Sequence, residues 1–358
     1  MKRPRPRPEL EALQPYRTSD ASSGRIFLHA NENPYPPPEA IVEEIYGLAR
    51  KHALNRYPEP AHELVDELAL YAGVDPSWIW IGDGANEVLL QACLAYGGPD
   101  RKALVFEPTY RMHHRQAAMA GTEVIEAQRQ KDFTLDGFRA VEAIEAEQPD
   151  IVFVCTPNNP SGTVTSLDDL RRIASCASGL VVIDEAYHEF CGATFVGELA
   201  QFPNVLVVRT LSKAFRLAAV RLGYGIAAPE LLTELARVRM PYAQSAFTQA
   251  AGLVALRNRA ELLSAVPKVI AERERLSDAL DRVEGVGVFP SGANFVLLRW
   301  TRAGKLLDAL AARGIVVRDF RHLKGCEDCL RVTVGTPDEN DEFLEVVTTI
   351  SRSQLRPR

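Results

Sequence analysis

A lysine stands between two hydroxyl residues in Thr210-Leu-Ser-Lys-Ala-Phe215, directly after the apolar run Val205 to Val208. A charged lysine at the end of a buried strand is costly unless it reaches solvent or has a chemical task. Lysine is also the side chain that forms Schiff bases with carbonyl compounds. Thr210 and Ser212 place hydroxyls beside Lys213, and Arg221 follows eight residues later. Hydroxyls with an arginine suit a phosphate, because the guanidinium offers charged, fork-shaped hydrogen bonds. A second apolar run, in Val181-Val-Ile-Asp-Glu-Ala-Tyr187, ends in Asp184. Open α/β sheets bind ligands at the carboxyl ends of their strands. A buried carboxylate there needs a partner, and a pyridinium nitrogen is a suitable one. Tyr187 lies just beyond, within reach of a phenolate oxygen. A helix N-cap is the plainer reading of the same aspartate.

Two further turns follow apolar runs. Cys155-Thr-Pro-Asn-Asn-Pro-Ser-Gly162 makes a rigid turn with the Asn159 amide at its tip. Gly82-Asp-Gly-Ala-Asn-Glu87 is a glycine-rich turn opening a helix, and its free N–H groups and the helix dipole would suit a phosphate. Each motif alone is also what an ordinary loop looks like. Together they supply a Schiff-base lysine, a partner for a ring nitrogen, a donor for a ring oxygen and a phosphate cradle. That set describes pyridoxal 5'-phosphate, for which lysine and an aspartate partner are the recognised protein contribution.

The elements that must position these groups alternate along the chain. Short apolar runs at Trp78 to Ile81, Ala103 to Phe106, Ile151 to Cys155, Leu180 to Ile183 and Val205 to Val208 predict strands buried on both faces. Helical spacing appears at Leu64, Leu68 and Tyr71, and again at Val88, Leu89, Ala92 and Cys93. Ser166 to Asp169 reads as a capping box. The alternation predicts an α/β fold with a largely parallel sheet flanked by helices. Beyond it, one long helix is expected over Thr248 to Arg282. Strands follow at Asn294 to Leu298, Ile315 to Val317 and Leu330 to Val334, and a helix runs from about Glu339. This reads as a smaller α+β unit. The division expected is 46–260 for a large cofactor-binding domain, with 1–45 and 261–358 forming a small one.

The chain has 358 residues, 46% hydrophobic and 25% charged, with a net charge of -6. That is ample length for a buried core and lacks the basic balance usual in nucleic-acid-binding domains. No nucleic-acid or membrane partner is expected, since no apolar run approaches the roughly 20 residues of a membrane helix. The basic start MKRPRPRPEL lacks the apolar stretch of a secretory signal and reads as a proline-stiffened tail. Cys326 and Cys329 form a CxxC pair without the further ligands a zinc site needs, so no metal is expected. The absence of a signal and of a disulfide framework points to the cytoplasm.

Further segments carry a family likeness: Gln14-Pro-Tyr-Arg17, Ala30-Asn-Glu-Asn-Pro-Tyr35, Asn55-Arg-Tyr-Pro-Glu-Pro60, Glu107-Pro-Thr-Tyr110 and Cys329-Leu-Arg-Val-Thr-Val-Gly335. With the motifs above, nearly the whole chain resembles the aspartate-aminotransferase-like (fold type I) pyridoxal-phosphate enzymes. Within them it is most similar to the histidinol-phosphate aminotransferases of histidine biosynthesis. The resemblance implies that Lys213 binds the cofactor covalently, Asp184 pairs with its ring nitrogen, and Asn159 and Tyr187 bond its ring oxygen. Tyr110 would stack on the ring. Gly84, Ala85, Asn86, Thr210, Ser212 and Arg221 would hold the phosphate. Tyr57 would reach the neighbouring subunit's cofactor, making the active unit a homodimer. Tyr16, Asn33, Tyr110, Arg318 and Arg331 would contact substrates, with Arg331 taking the glutamate carboxylate and, in the other half-reaction, the substrate phosphate. The implied activity is transamination between histidinol phosphate and 2-oxoglutarate. An aromatic amino-acid aminotransferase and an amino-acid phosphate decarboxylase are the alternatives. Two positions depart from the family pattern. Arg216 stands where a small residue is usual and is expected to face solvent. Asn86 replaces a common aspartate.

Overall fold

The computed structural model describes residues 24–352, together with residues 5, 7, 10, 13 and 15. The strands are β1 (Ile26–Leu28), β2 (Ile79–Asp83), β3 (Lys102–Glu107), β4 (Glu123–Gln128), β5 (Ile151–Cys155) and β6 (Leu180–Asp184), followed by β7 (Val205–Thr210), β8 (Leu222–Ile226), β9 (Val286–Val288), β10 (Phe295–Trp300), β11 (Ile315–Asp319) and β12 (Cys329–Thr333). They form a seven-stranded sheet in the order β2-β8-β7-β6-β5-β3-β4 and a five-stranded sheet in the order β1-β11-β12-β10-β9.

In the large sheet only β8 runs against its neighbours. Every residue of β5, β6 and β7 is buried. Successive side chains of a strand point to opposite faces, and both faces are covered here. Val152, Val154, Val181, Ile183, Val205 and Val207 join one apolar cluster, while Phe153, Val182, Leu206 and Val208 join the other. This two-sided burial is why these strands are continuous apolar runs in the sequence.

Periodicity alone does not reveal β4 or β8. β4 is an edge strand, Glu-Val-Ile-Glu-Ala-Gln, exposed at both ends. β8 reads Leu-Gly-Tyr-Gly-Ile, and its glycines have a steric cause. A Cβ at Gly223 would collide with the Ala85 backbone nitrogen, so glycine is what lets β8 lie against the Gly84–Ala85 turn. The expected helix over Thr248 to Arg282 is broken. Helices run over Ala246–Arg257, Arg259–Leu262 and Val266–Asp281. Asn258 leaves the helical conformation at φ -101°, ψ 22°, and its amide caps the Val254 carbonyl. Pro267, in the first turn of the third helix, lacks the N–H needed to continue a preceding helix. The first of the three is buried nearly all round, from Ala250 to Leu256.

The five-stranded sheet joins the two ends of the described chain. β1 pairs in parallel with β11, Ile26 opposite Ile315 and Leu28 opposite Val317. The other pairings are antiparallel. Leu276, Leu280, Leu306, Leu310, Phe343 and Val347, from helices Val266–Asp281, Ala303–Ala312 and Pro337–Arg352, cover one face. From β1 the chain runs through residues 29–38 to helix Glu39–Ala49, which packs on helix Ala246–Arg257. Arg216 is placed differently from its sequence expectation. It is partly buried, donating to the carbonyls of Pro36 and Glu261 and to Ser264 Oγ at 3.2–3.3 Å. It thereby ties residues 29–38 to the helical region. Among the described residues no helix is long and apolar enough to cross a membrane. No group of His, Cys, Asp and Glu among them could hold a metal ion. Cys326 and Cys329 are buried thiols packed with Phe133, Leu297 and Phe320.

Gly223→Ala forces the β8 backbone away from the Gly84–Ala85 turn. It should cost about 1–3 kcal/mol, the usual range for overpacking. Urea unfolding of Gly223→Ala beside wild type measures the loss.

Candidate active site

The strands of the large sheet end in step. Cys155 lies opposite Asp184, and Asp184 opposite Val208. The turns that follow β5, β6 and β7 therefore leave from one edge of the sheet, as does the turn after β2. That turn lies beside the start of β8, with Asp83 opposite Leu222. Asn159, Asp184, Tyr187, Lys213, Arg221 and the Gly84–Asn86 turn are gathered at this edge.

Asp184 is buried. Its Oδ2 lies 2.9 Å from His113 Nε2, and its Oδ1 accepts from the Ala186 N–H at 3.1 Å. His113 is fully buried, stacks on Phe153 at 4.9 Å and meets the Tyr110 ring edge-on at 5.5 Å. The neighbouring carboxylate, Glu185, turns away into the protein and pairs with Arg209 of β7. Glu185 also accepts from the Phe195 N–H at 2.6 Å and the Thr194 hydroxyl at 2.9 Å. Both charges of that pair are buried, so removing one would strand the other. The pair ties the loop after β6 to β7, the strand that leads into Lys213.

Lys213 Nζ donates to the Ala30 carbonyl at 2.9 Å. Burial pulls its pKa down to about 8, the positive field of Arg331 and Arg221 adds to the shift, and Glu32 opposes it. An amine so placed loses its proton more readily than an ordinary lysine, as a nucleophile or base must. Asn33 Nδ2 donates to the Lys213 carbonyl at 3.3 Å, which places Asn33 against the lysine backbone.

The phosphate-type cradle is assembled from β2, β7 and β8. Helix Ala85–Tyr96 begins at Gly84, whose φ of 76° is a left-handed conformation that glycine adopts freely. A Cβ at Gly84 would run into the Arg221 guanidinium. Arg221 Nη1 lies 3.5 Å from Ser212 Oγ, which also receives the Thr210 hydroxyl at 2.9 Å. Guanidinium, hydroxyls and the first N–H groups of a helix thus converge. Asn86 Oδ1 accepts the Tyr110 hydroxyl at 3.1 Å and so orients that ring.

The small sheet supplies the opposite wall. Arg331 of β12 stands opposite Arg318 of β11. Its Nη1 donates to Asn159 Oδ1 at 2.5 Å and its Nη2 to the His29 carbonyl at 2.6 Å. Phe295 and Phe320 lie within 5.3 Å of its guanidinium carbon. Tyr57 is not part of this cluster. It is 74% exposed and stacks on Tyr242 at 4.1 Å. Tyr16 lies outside the described residues.

The family model for aminotransferase class I and II matches residues 24–347. The chain belongs to the class I and II aminotransferases. It is 45% identical to the histidinol-phosphate aminotransferase of Corynebacterium glutamicum (strain R) over 347 residues, 92% of each chain. It is 43% identical to that of Thermobifida fusca over 96% of this chain and 94% of that one. Its fold matches the crystal structure of histidinol-phosphate aminotransferase from Sinorhizobium meliloti in complex with pyridoxal-5'-phosphate. That match has a TM-score of 0.87 at 24% identity and covers 97% of this chain and 98% of the other.

The residues present fit the cofactor of this family, pyridoxal 5'-phosphate. A carboxylate buried at a sheet edge, a lysine of depressed pKa and a cradle that excludes a Cβ at Gly84 match its ring nitrogen, aldehyde and phosphate. Sequence reasoning missed three neighbours. His113 lies in a polar helix beside His114, and nothing local marks which of the two turns inward. Asn31 bonds Tyr187 from 156 residues away. His29, whose Nδ1 is buried with no hydrogen-bond partner among the described residues, lies in the field of Glu32, Arg318 and Arg331.

In protein stripped of cofactor, Lys213 should react with an amine-directed label with a pH midpoint near 8. Ordinary lysines titrate near 10.4. Mass spectrometry of labelled peptides across a pH series reads both, and a midpoint at or above 10 for Lys213 would refute the depressed pKa.

Proposed function

We propose that this aminotransferase transfers an amino group between histidinol phosphate and 2-oxoglutarate. The reading rests on relatives that carry the histidinol-phosphate aminotransferase name at 43–45% identity across nearly the whole chain. The observation that carries the chemistry is Lys213, with its pKa near 8, at the same sheet edge as buried Asp184.

Bound there, pyridoxal phosphate supplies an aldehyde that takes up the amino group and a ring that accepts the electrons of the broken Cα–H bond. Lys213 would bind it covalently and, once freed by the amine substrate, would be the base that takes the Cα proton and delivers it to the former aldehyde carbon, on the far side of the substrate nitrogen. Asp184, held by His113, keeps a proton on the ring nitrogen. Asn159 and Tyr187 bond the ring oxygen, and Tyr110 covers the ring face. Gly84, Ala85, Asn86, Thr210, Ser212 and Arg221 hold the phosphate. Arg331 grips an anionic group of each substrate, the glutamate carboxylate in one half-reaction and the substrate phosphate in the other. Arg318, Asn33 and Tyr16 complete the substrate pocket. The two half-reactions share one site, so the kinetics are ping-pong.

The active unit is a homodimer in which Tyr57 reaches the neighbour's cofactor phosphate. Tyr57, Tyr242, Met240 and Leu54 are all exposed, and apolar side chains of that size suit burial against a second copy. The division is a cofactor-binding domain over 46–260, extended by helix Glu39–Ala49, which packs on helix Ala246–Arg257, and a small domain built around the five-stranded sheet from both ends of the described chain. The enzyme works in the cytoplasm on small-molecule substrates.

Histidinol phosphate, phenylalanine and an amino-acid phosphate are compared by kcat/KM, with carbon dioxide release followed for the last. Histidinol phosphate should lead phenylalanine by at least about tenfold, because a site built for a charged group rejects substrates lacking it. A lead for phenylalanine would make the protein an aromatic aminotransferase, and carbon dioxide release would make it a decarboxylase. Lys213→Ala should abolish the absorbance of the lysine-linked cofactor and nearly all turnover. Arg331→Ala should weaken both substrates, and weakening of only one would exclude a shared anion site.

A further inference from the structure

Tyr187 is buried, and its phenolic oxygen has two amide neighbours. Asn31 Nδ2 lies at 2.9 Å and Asn159 Nδ2 at 3.3 Å. Independent partners hold each amide in that orientation. Arg331 Nη1 lies 2.5 Å from Asn159 Oδ1. A guanidinium has no acceptor, so the oxygen of Asn159 must face it and the nitrogen must face Tyr187. On the other side, Thr333 Oγ1 accepts the Asn31 backbone N–H at 3.0 Å and donates its own proton to Asn31 Oδ1 at 3.2 Å. Reversing the Asn31 amide would take that acceptor from the threonine proton. Asn294 Nδ2, donating to the Asn31 carbonyl at 3.0 Å, holds the same residue from a third side.

The phenolic oxygen therefore receives two N–H groups, and neither amide can accept its proton. A hydroxyl has one proton to give, and the Tyr187 proton is left for whatever occupies the cleft. We propose that Asn31 is a positioning residue that turns the Tyr187 hydroxyl into a donor aimed at the ring oxygen of the cofactor. The inference rests on the pyridoxal-phosphate reading of the site. Asn31 also belongs to the stretch whose His29 carbonyl holds Arg331 and whose Ala30 carbonyl holds Lys213. With Asn159, which bonds both Arg331 and Tyr187, it links the substrate wall to the cofactor side of the cleft. The charged and titratable groups acting on Tyr187 are Arg331 of β12, Cys155 of β5 and Asp184 of β6.

A donor to the ring oxygen competes with the proton shared between that oxygen and the lysine-derived nitrogen. It lowers the pH at which the lysine-linked cofactor changes its absorbance. Loss of the donor raises that pH by about half to one unit, the equivalent of one hydrogen bond. The test is a spectrophotometric pH titration of cofactor-loaded wild type, Asn31→Ala, Tyr187→Phe and the double variant. Asn31→Ala should shift the midpoint upward in the wild-type background and leave it unchanged in the Tyr187→Phe background. A midpoint equal to wild type in Asn31→Ala, or the same shift with and without the Tyr187 hydroxyl, would overturn the proposal. Should Asn31→Ala fail to fold, Thr333→Val releases the amide orientation instead and should shift the midpoint in the same direction; no shift there counts against the proposal equally. If wild type itself takes up no cofactor, it is the cofactor reading that fails.

Discussion

The in-step ending of three parallel strands is the constraint on which the site depends. β5, β6 and β7 are buried on both faces, and their registers align Cys155 with Asp184 and Asp184 with Val208. A slip of one residue would exchange every side chain between the two apolar layers. The register is therefore held by the whole core, and the turns beyond it inherit that precision. Polar groups on loops can be placed accurately only when the scaffold beneath them is rigid in this way.

Burial at this edge has opposite consequences for different groups. Asp184 keeps company with His113, and Glu185 with Arg209, so each carboxylate has a specific partner. Lys213 has a backbone carbonyl as its hydrogen-bond partner, and burial with two nearby arginines outweighs the pull of Glu32, so its pKa falls. Tyr187 is pushed the other way, because burial disfavours the phenolate and outweighs the help of Arg331 and Asn31. One apolar environment thus holds a lysine ready to lose its proton and a phenol that keeps its own. That pairing suits chemistry in which the amine moves protons and the phenol donates a hydrogen bond.

Much of this was legible along the chain. The continuous apolar runs predicted the central strands because two-sided burial admits nothing else. Lys213, Asp184, Asn159 and the Gly84–Asn86 turn stood out because each follows such a run directly. β8 was not legible, since its glycines answer a collision with the Ala85 nitrogen, a neighbour from far back in the chain. The single helix expected over Thr248 to Arg282 failed at Asn258, because apolar spacing continues across the break while the backbone does not. Arg216 looked like a surface cation, and only the packed chain shows the carbonyls that engage it.

Local order settles which residues carry chemistry, since strand, turn and helix signals are contacts between near neighbours. The family follows from the same local motifs. Partnership is a different matter. His113 reaches Asp184 across 71 residues, Asn31 reaches Tyr187 across 156, and Arg331 reaches Asn159 across 172. Hydrogen bonds over such separations leave no periodic trace in the chain. They exist because packing of the two sheets brings β12 and the stretch after β1 against the edge of the large sheet, where a buried polar group must find a partner.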